Sequence, residues 1–315
     1  MEFHDFPPVT TYAAPFFVLS VVLEWWGVKT GRFHGRYETK DAFTSLAMGI
    51  GNVVVNTLTA TVFFWLLIVA WPYRVLTLPY TWWSFLACFV LYDFIYYWKH
   101  RFAHRARWWW MEHVTHHSSE HYNLTTALRQ PWFGPFTGLY ILGLPMVILG
   151  FHPYLIGFAA GWNLLYQFWI HTEAINRMPK WFEAVMNTPS HHRVHHATNP
   201  RYLDTNYAGV FIVWDRIFGT FVPELDKDRV DYGLVHNLAT FNPLRVAFHE
   251  WVGLFRDVTQ PGLTLRQRLG YGFGPPGYSH DGSRDTSERI KAQHLARHPE
   301  DAGTPGFETP RPPAE

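Results

Sequence analysis

The stretch YTWWSFLACFVLYDFIYYWKHRFAHRARWWWMEHVTHH, residues 80–117, runs from an apolar segment straight into two groups of histidines. The apolar part, 80–98, is about as long as a helix that crosses the hydrocarbon of a bilayer, which takes ~20 residues. Beyond it, His100 stands four residues before His104, and His113 stands three and four residues before His116 and His117. On a helix these offsets share a face, so each group aims its imidazoles in one direction. A third group, His192, His195 and His196, repeats the H-x-x-H-H spacing of the second. With 19 histidines in 315 residues, chance gives roughly 0.07 occurrences of that pattern. Two occurrences therefore mark a site.

Working outward, further apolar runs lie at 11–28, 43–71, 132–150 and 152–170. The run at 43–71 contains Gly49, Gly51, Asn52 and Asn56, which predicts a tilted or broken helix. Phe151, His152 and Pro153 read as the tight turn of a helical hairpin that returns to the side it left. Only 16% of residues are charged, against about 25% in soluble domains, and the 16 tryptophans suit a lipid–water boundary. The start of the chain lacks a basic segment, so no signal peptide is expected. Lys29, Arg32, Arg36 and Lys40 follow the first run, and Lys99, Arg101, Arg105 and Arg107 follow the third, whereas the opposite side has only Arg74. This asymmetry places both basic segments and everything after residue 171 in the cytoplasm. It argues against a soluble protein with thick core helices.

The predicted fold is an all-α integral membrane protein with four to five membrane-embedded helices and a cytoplasmic helical cap, occupying residues 1–270. Residues 271–315, rich in Pro, Gly and charge, read as a disordered tail with at most a short helix at 285–297. In this topology no span separates the three histidine clusters, so all of them meet on one face.

Other residues bear on that site. His171, at the cytoplasmic end of the last run, falls at the depth of the clusters and is a ninth candidate ligand. Asp93 lies two helical turns before His100 and reads as a carboxylate orienting a ligand imidazole, or as a structural partner. His191 offers an alternative register to His192, while His121, His236 and His249 lack a cluster and read as surface or supporting residues. Arg129 reads as an interfacial anchor that could also reach a glycerol hydroxyl or phosphate. The single cysteine, Cys88, excludes a disulfide framework and a Cys-rich metal site. A net charge of +1 without a basic stripe excludes nucleic acid as partner. Imidazole suits Zn, Cu, Fe and Ni alike, and the Glu-x-x-His pattern of soluble di-iron proteins is absent. A metal transporter would carry its ligands at mid-membrane depth, not at helix ends on one face.

The three clusters in this order resemble the fatty acid hydroxylase/sterol desaturase superfamily. The strings HHSSEHYNLTTALRQ (116–130), QFWIHTE (167–173), NTPSHHRVHH (187–196) and NYAGVFIVWDRIFGTF (206–221) are most similar to its alkylglycerol monooxygenase branch and bacterial relatives. The resemblance covers roughly residues 45–255 and implies a membrane oxygenase with two Fe ions. His100, His104, His113, His116, His117, His192, His195 and His196 would be the ligands, and His171 matches a further histidine of the branch. It also implies O2 as oxidant and an external electron donor, tetrahydrobiopterin or another, with an electron-donor protein as a candidate partner. The substrate would be a lipid C–H bond. If the attacked carbon bears an ether oxygen, the product is a hemiacetal that collapses to aldehyde and alcohol. Sterol, fatty-acyl or aminolipid hydroxylation or desaturation is the alternative within the superfamily. The membrane would be the cell membrane in a bacterium and the endoplasmic reticulum in a eukaryote. The chain departs from the branch at Arg105, commonly Glu, and at His121, commonly Asp.

The orientation is open to a labelling experiment. With Cys88 replaced by Ser, a cysteine placed near residue 110 should resist an impermeant maleimide added outside intact cells. One placed ahead of the first span should react. Labelling near residue 110 from outside would reverse the topology.

Overall fold

Two helices in the computed structural model are long and apolar enough to cross a membrane. They are α1, Val9–Lys29, and α2, Thr39–Ala70, which a 3-10 turn at Trp71–Tyr73 prolongs. The structure describes residues 7–308; residues 1–6, part of the segment read for a leader, and residues 309–315 of the tail lie outside it. Along α2, Phe43, Ile50, Val53, Leu58 and Val62 point away from the protein, as apolar side chains do where the surrounding solvent is lipid. The glycines of α2 do not break it. Gly49 instead lets the backbone come close to a neighbour, since a Cβ there would sit 2.7 Å from the Leu128 carbonyl oxygen.

The remaining helices follow in order: α3 Trp82–Arg105, α4 Arg107–His117, α5 Leu124–Ala127, α6 Leu144–Leu149, α7 Pro153–Trp169, α8 Lys180–Glu183 and α9 Pro189–His195. They continue with α10 Val213–Ile217, α11 Pro243–Val258, α12 Leu265–Phe273 and α13 Ser287–Arg297. Among the described residues there is no strand, only two isolated bridges. Packing follows the apolar faces. α7 lies against α1 and α3, and Cys88, Met146, Val147, Leu155 and Ala159 form a core between α3, α6 and α7.

The run at 132–150 is not the continuous span its hydropathy predicts. It forms 3-10 turns at Gly134–Thr137 and Leu139–Gly143, separated by Gly138 at φ 86°, before the six-residue α6. Gly134, Pro135, Gly138, Gly143 and Pro145 interrupt it, because proline removes a backbone donor and glycine favours no single helix. The hairpin therefore has one regular arm, α7, and one irregular arm.

Buried charged side chains hold the irregular parts. Glu24 on α1 is 5% exposed. It accepts from the Leu124 backbone N–H at 2.8 Å and from the hydroxyls of Tyr37 and Thr172. Arg107, at the start of α4, donates to Glu250 at 2.6 Å and to Asp257 at 2.7 Å, both on α11. Arg284 reaches the same Asp257 carboxylate through both terminal nitrogens.

That last contact corrects the reading of residues 271–308 as a disordered tail. Arg201 donates to Asp301 at 2.6 Å and to the Pro305 carbonyl at 2.7 Å, and Phe307 is buried. The segment folds back because its charges have partners on the cap, which composition does not report. Its one regular helix, α13, falls near the 285–297 read from sequence.

Asp257 joins α4, α11 and the returning segment at 1% exposure, so Asp257→Ala takes the carboxylate from Arg284 and leaves Arg107 with Glu250 alone. It should cost about 1–3 kcal/mol, measured as a lowered thermal midpoint by tryptophan fluorescence in detergent. Asp226→Ala, which removes an exposed partner of Arg177, should cost no more than about 1 kcal/mol.

Candidate metal centre

Helix geometry brings the histidines together from four places. The last turns of α3 carry His100 and His104, α4 carries His113, His116 and His117, α9 carries His192 and His195 with His196 as its cap, and His171 follows α7. They fall into two groups. His100, His104, His113, His117 and His195 make one, and His116, His171, His192 and His196 make the other. In each group the ring nitrogens lie within 4.8 Å of one another. The division cuts across the sequence clusters. His116 leaves its neighbours His113 and His117, and His195 leaves His192 and His196.

Facing Nε2 atoms stand 2.7 Å apart for His100 and His113, and 3.0 Å for His113 and His117. In the second group the separations are 3.1 Å for His116 and His171 and 3.0 Å for His171 and His192. Nitrogens ~2.1 Å from one metal would be separated by about 3.0 Å at right angles and about 4.2 Å across the ion. The donor sets fit such an ion. The buried Nε2 atoms of His104, His195 and His196 have no hydrogen-bond partner among the described residues. A buried nitrogen left unbonded costs about 1–3 kcal/mol, a cost that coordination removes.

In five of the nine rings the other nitrogen is already committed. His100 Nδ1 donates to the Tyr207 carbonyl at 2.7 Å, His195 Nδ1 to the Thr205 carbonyl at 3.0 Å, and His104 Nδ1 lies 3.4 Å from the Asp204 carboxylate. In the second group, His171 Nδ1 donates to the Gln167 carbonyl at 2.7 Å and His116 Nδ1 to the Arg129 carbonyl at 3.3 Å. A carbonyl only accepts, so Nδ1 keeps the proton and Nε2 keeps a free lone pair. Burial, reinforced by neighbouring imidazoles, holds His113, His117, His192, His195 and His196 well below the usual histidine range. Burial likewise pushes His116 down to about 4. The downward shift favours the neutral form of these six rings, as metal ligation requires.

Three further residues have roles that the sequence left open or, for Arg129, placed elsewhere. Asp93 touches no imidazole. Its carboxylate accepts from the backbone N–H groups of Val210 and Phe211, at 2.8 and 3.0 Å, and from Asn163 and Trp214. Arg129 is 1% exposed and bound to Asp41, Ser45 and Ser118, so it neither anchors at an interface nor faces a ligand. His191 points away from both groups, toward Phe221 and Glu183. His236 is exposed, His121 and His249 are half-buried, and none of the three joins a group.

Comparison with known proteins agrees with this geometry. A family model for fatty acid hydroxylase matches residues 85–220, the segment that contains all nine histidines. Human alkylglycerol monooxygenase is 41% identical over 281 residues, covering 86% of this chain and 61% of that protein. The Xenopus tropicalis alkylglycerol monooxygenase is 38% identical over 310 residues, covering 95% of this chain and 67% of that protein.

The chain belongs to the fatty acid hydroxylase family.

Within that family it falls in the alkylglycerol monooxygenase branch, and it spans about three-fifths to two-thirds of the length of these two relatives. No solved structure matches it. The supporting loop 204–208 has no role in the sequence reading. Asp215 holds it by accepting from the backbone N–H groups of Tyr207 and Ala208, at 2.8 and 2.7 Å, and from the Thr220 hydroxyl at 2.6 Å. The signal was present in the NYAGVFIVWDRIFGTF string, whose two-residue and longer spacings only the folded loop explains.

Asp215 touches no imidazole, yet it fixes the carbonyl that holds His100. Asp215→Asn should therefore weaken metal binding about 10–100-fold, measured by competition with a chelator of known affinity. His191→Ala should leave metal content unchanged, and His192→Ala should lower it.

Proposed function

We propose that the nine histidines hold two iron ions and that the enzyme uses O2 to hydroxylate a C–H bond of a membrane lipid, an ether-linked alkylglycerol being the substrate. The observation that carries this reading is the pair of converging groups of buried, neutral imidazoles. The group of five nitrogens exceeds the closed tetrahedron of structural zinc, and the group of four equals it. The branch supports the ether substrate, since its named relatives are alkylglycerol monooxygenases. Iron bound there supplies the reduction of O2 and the oxidation of the C–H bond. Hydroxylation beside an ether oxygen gives a hemiacetal, which separates into fatty aldehyde and glycerol. Electrons come from an external donor, a reduced pterin or an electron-donor protein.

The chain's own share is positional. The carbonyls of Tyr207, Thr205, Gln167 and Arg129 fix ring tautomer and direction, and the burial of eight of the nine imidazoles excludes bulk water. In this reading α1 and α2 cross the bilayer, α3, α7 and the irregular arm are embedded beside them, and the metal-bearing cap faces the cytoplasm. The catalytic unit extends through the returning segment to residue 308.

Purified protein should contain two irons, one for each imidazole group. His116→Ala and His195→Ala should each lose metal and activity while staying in the membrane. With O2 and a reduced pterin, an O-alkylglycerol should yield fatty aldehyde, followed by trapping the aldehyde and mass spectrometry. Oxygen gained by a sterol or acyl substrate, with no aldehyde from any donor, would overturn the ether reading and leave the oxygenase standing.

A further inference from the structure

Eight of the nine clustered histidines are buried, and His113 is the exception. The open edge of the metal centre is therefore on α4, beside His113. The residues that immediately precede His113 and His100 in the chain meet there. Lys99 Nζ lies 3.1 Å from Glu112 Oε1, with 37% of the lysine side chain and 12% of the glutamate side chain exposed. The second carboxylate oxygen of Glu112 accepts from the Thr137 hydroxyl at 2.5 Å, within the first 3-10 turn of the irregular arm. Tyr96 completes the boundary. Its ring centre is 5.5 Å from that of His100, and its hydroxyl bonds the Gln167 side chain.

Two physical arguments give this place a ligand. Irregular backbone at membrane depth persists only where it is buried in protein or lines a polar cavity, and the arm at 134–143 borders this polar cluster. Any C–H bond brought to the open edge of the imidazole groups also carries the rest of its molecule past these side chains. An ammonium and a carboxylate side by side offer donors and acceptors together, with their charges cancelled. That set complements hydroxyl groups, each of which donates and accepts. A phosphate would meet the Glu112 carboxylate as a like charge.

We propose that the polar cluster where α3, α4 and the irregular arm meet, formed by Tyr96, Lys99 and Glu112 beside His113, seats the polar end of the lipid. Lys99 and Glu112 together hold the hydroxyl groups of an uncharged head. The proposal rests on the lipid-oxygenase reading above and adds which head group that site selects and by which residues.

The test uses the iron-loaded full chain in nanodiscs, with radiolabelled O-alkylglycerol and its 3-phosphate as probes for binding and turnover. Glu112→Gln and Lys99→Met should each weaken binding of the uncharged lipid and raise its KM about tenfold or more, which corresponds to about 1.4 kcal/mol. The change in kcat should be far smaller, and both irons should remain. Glu112→Gln, which leaves the lysine charge uncancelled, should shift preference toward the phosphate. If either variant accumulates poorly, the exchange Lys99→Glu with Glu112→Lys restores the pair and should restore binding of the uncharged lipid. Unchanged affinity in both single variants, equal loss for both lipids, or loss of iron would each overturn the proposal. Binding that depends on the pair without aldehyde formation would overturn the ether reaction instead and leave the head-group site in place.

Discussion

Burying an imidazole nitrogen without a bond is costly, and this chain buries imidazoles in numbers. Everything around the centre answers that constraint. Carbonyls and a carboxylate take the Nδ1 protons of five rings, leaving lone pairs directed inward. Three of those five rings are held by residues 204–207, where Asp204 and Asn206 adopt the left-handed conformation at φ 56° and 55°. Asp and Asn tolerate that conformation better than most residues. Without it the loop would not turn successive acceptors toward α3 and α9. Asp93 and Asp215 then take up the backbone N–H groups that the turn leaves over.

The same device recurs where the chain has no regular structure. Arg193 lies between His192 and His195 but faces the other way. It forms a two-pronged bond to Glu224 and donates to the carbonyls of Thr172, Ile175 and Asn176. Glu24 reaches the other side of that segment from α1 through Thr172. The loop that presents His171 is thus gripped from the membrane helices and from the cap at once. Long apolar helices supply the platform, and fully bonded buried charges supply the precision.

Much of this was legible in the residues. The boundaries of α1 and α7 fall within two residues of the apolar runs at 11–28 and 152–170, because a helix facing lipid is written in hydropathy. The convergence of the clusters was expected from counting crossings, and the histidines do meet, although the count included a run that is not a continuous span. Hydropathy does not report backbone shape, however, so the run at 132–150 passed for a span although its glycines and prolines stood in plain view. Asp93 was left open between two roles, and Arg129 misplaced, for a common reason. A charge in an apolar setting announces that it has a partner, but the partner lies 117 and 88 residues away, at Val210 and Asp41. The segment after residue 271 was misjudged because a disordered tail and one sewn down by ion pairs have the same composition.

The way the two imidazole groups divide the H-x-x-H-H motifs sets a length scale. On α4, His113 and His117 serve one group and His116 the other, and on α9, His195 serves one and His192 and His196 the other. Each short helix is thus a ruler laid across both groups, its graduations fixed by helical pitch. Ring centres of 5.7 Å for His116 and His117 and 5.3 Å for His195 and His196 are its marks. Two rulers crossing the same gap leave it little freedom to widen or narrow. A single residue inserted within either motif would not remove one group and spare the other. It would put both out of register together, because each helix carries ligands of both groups.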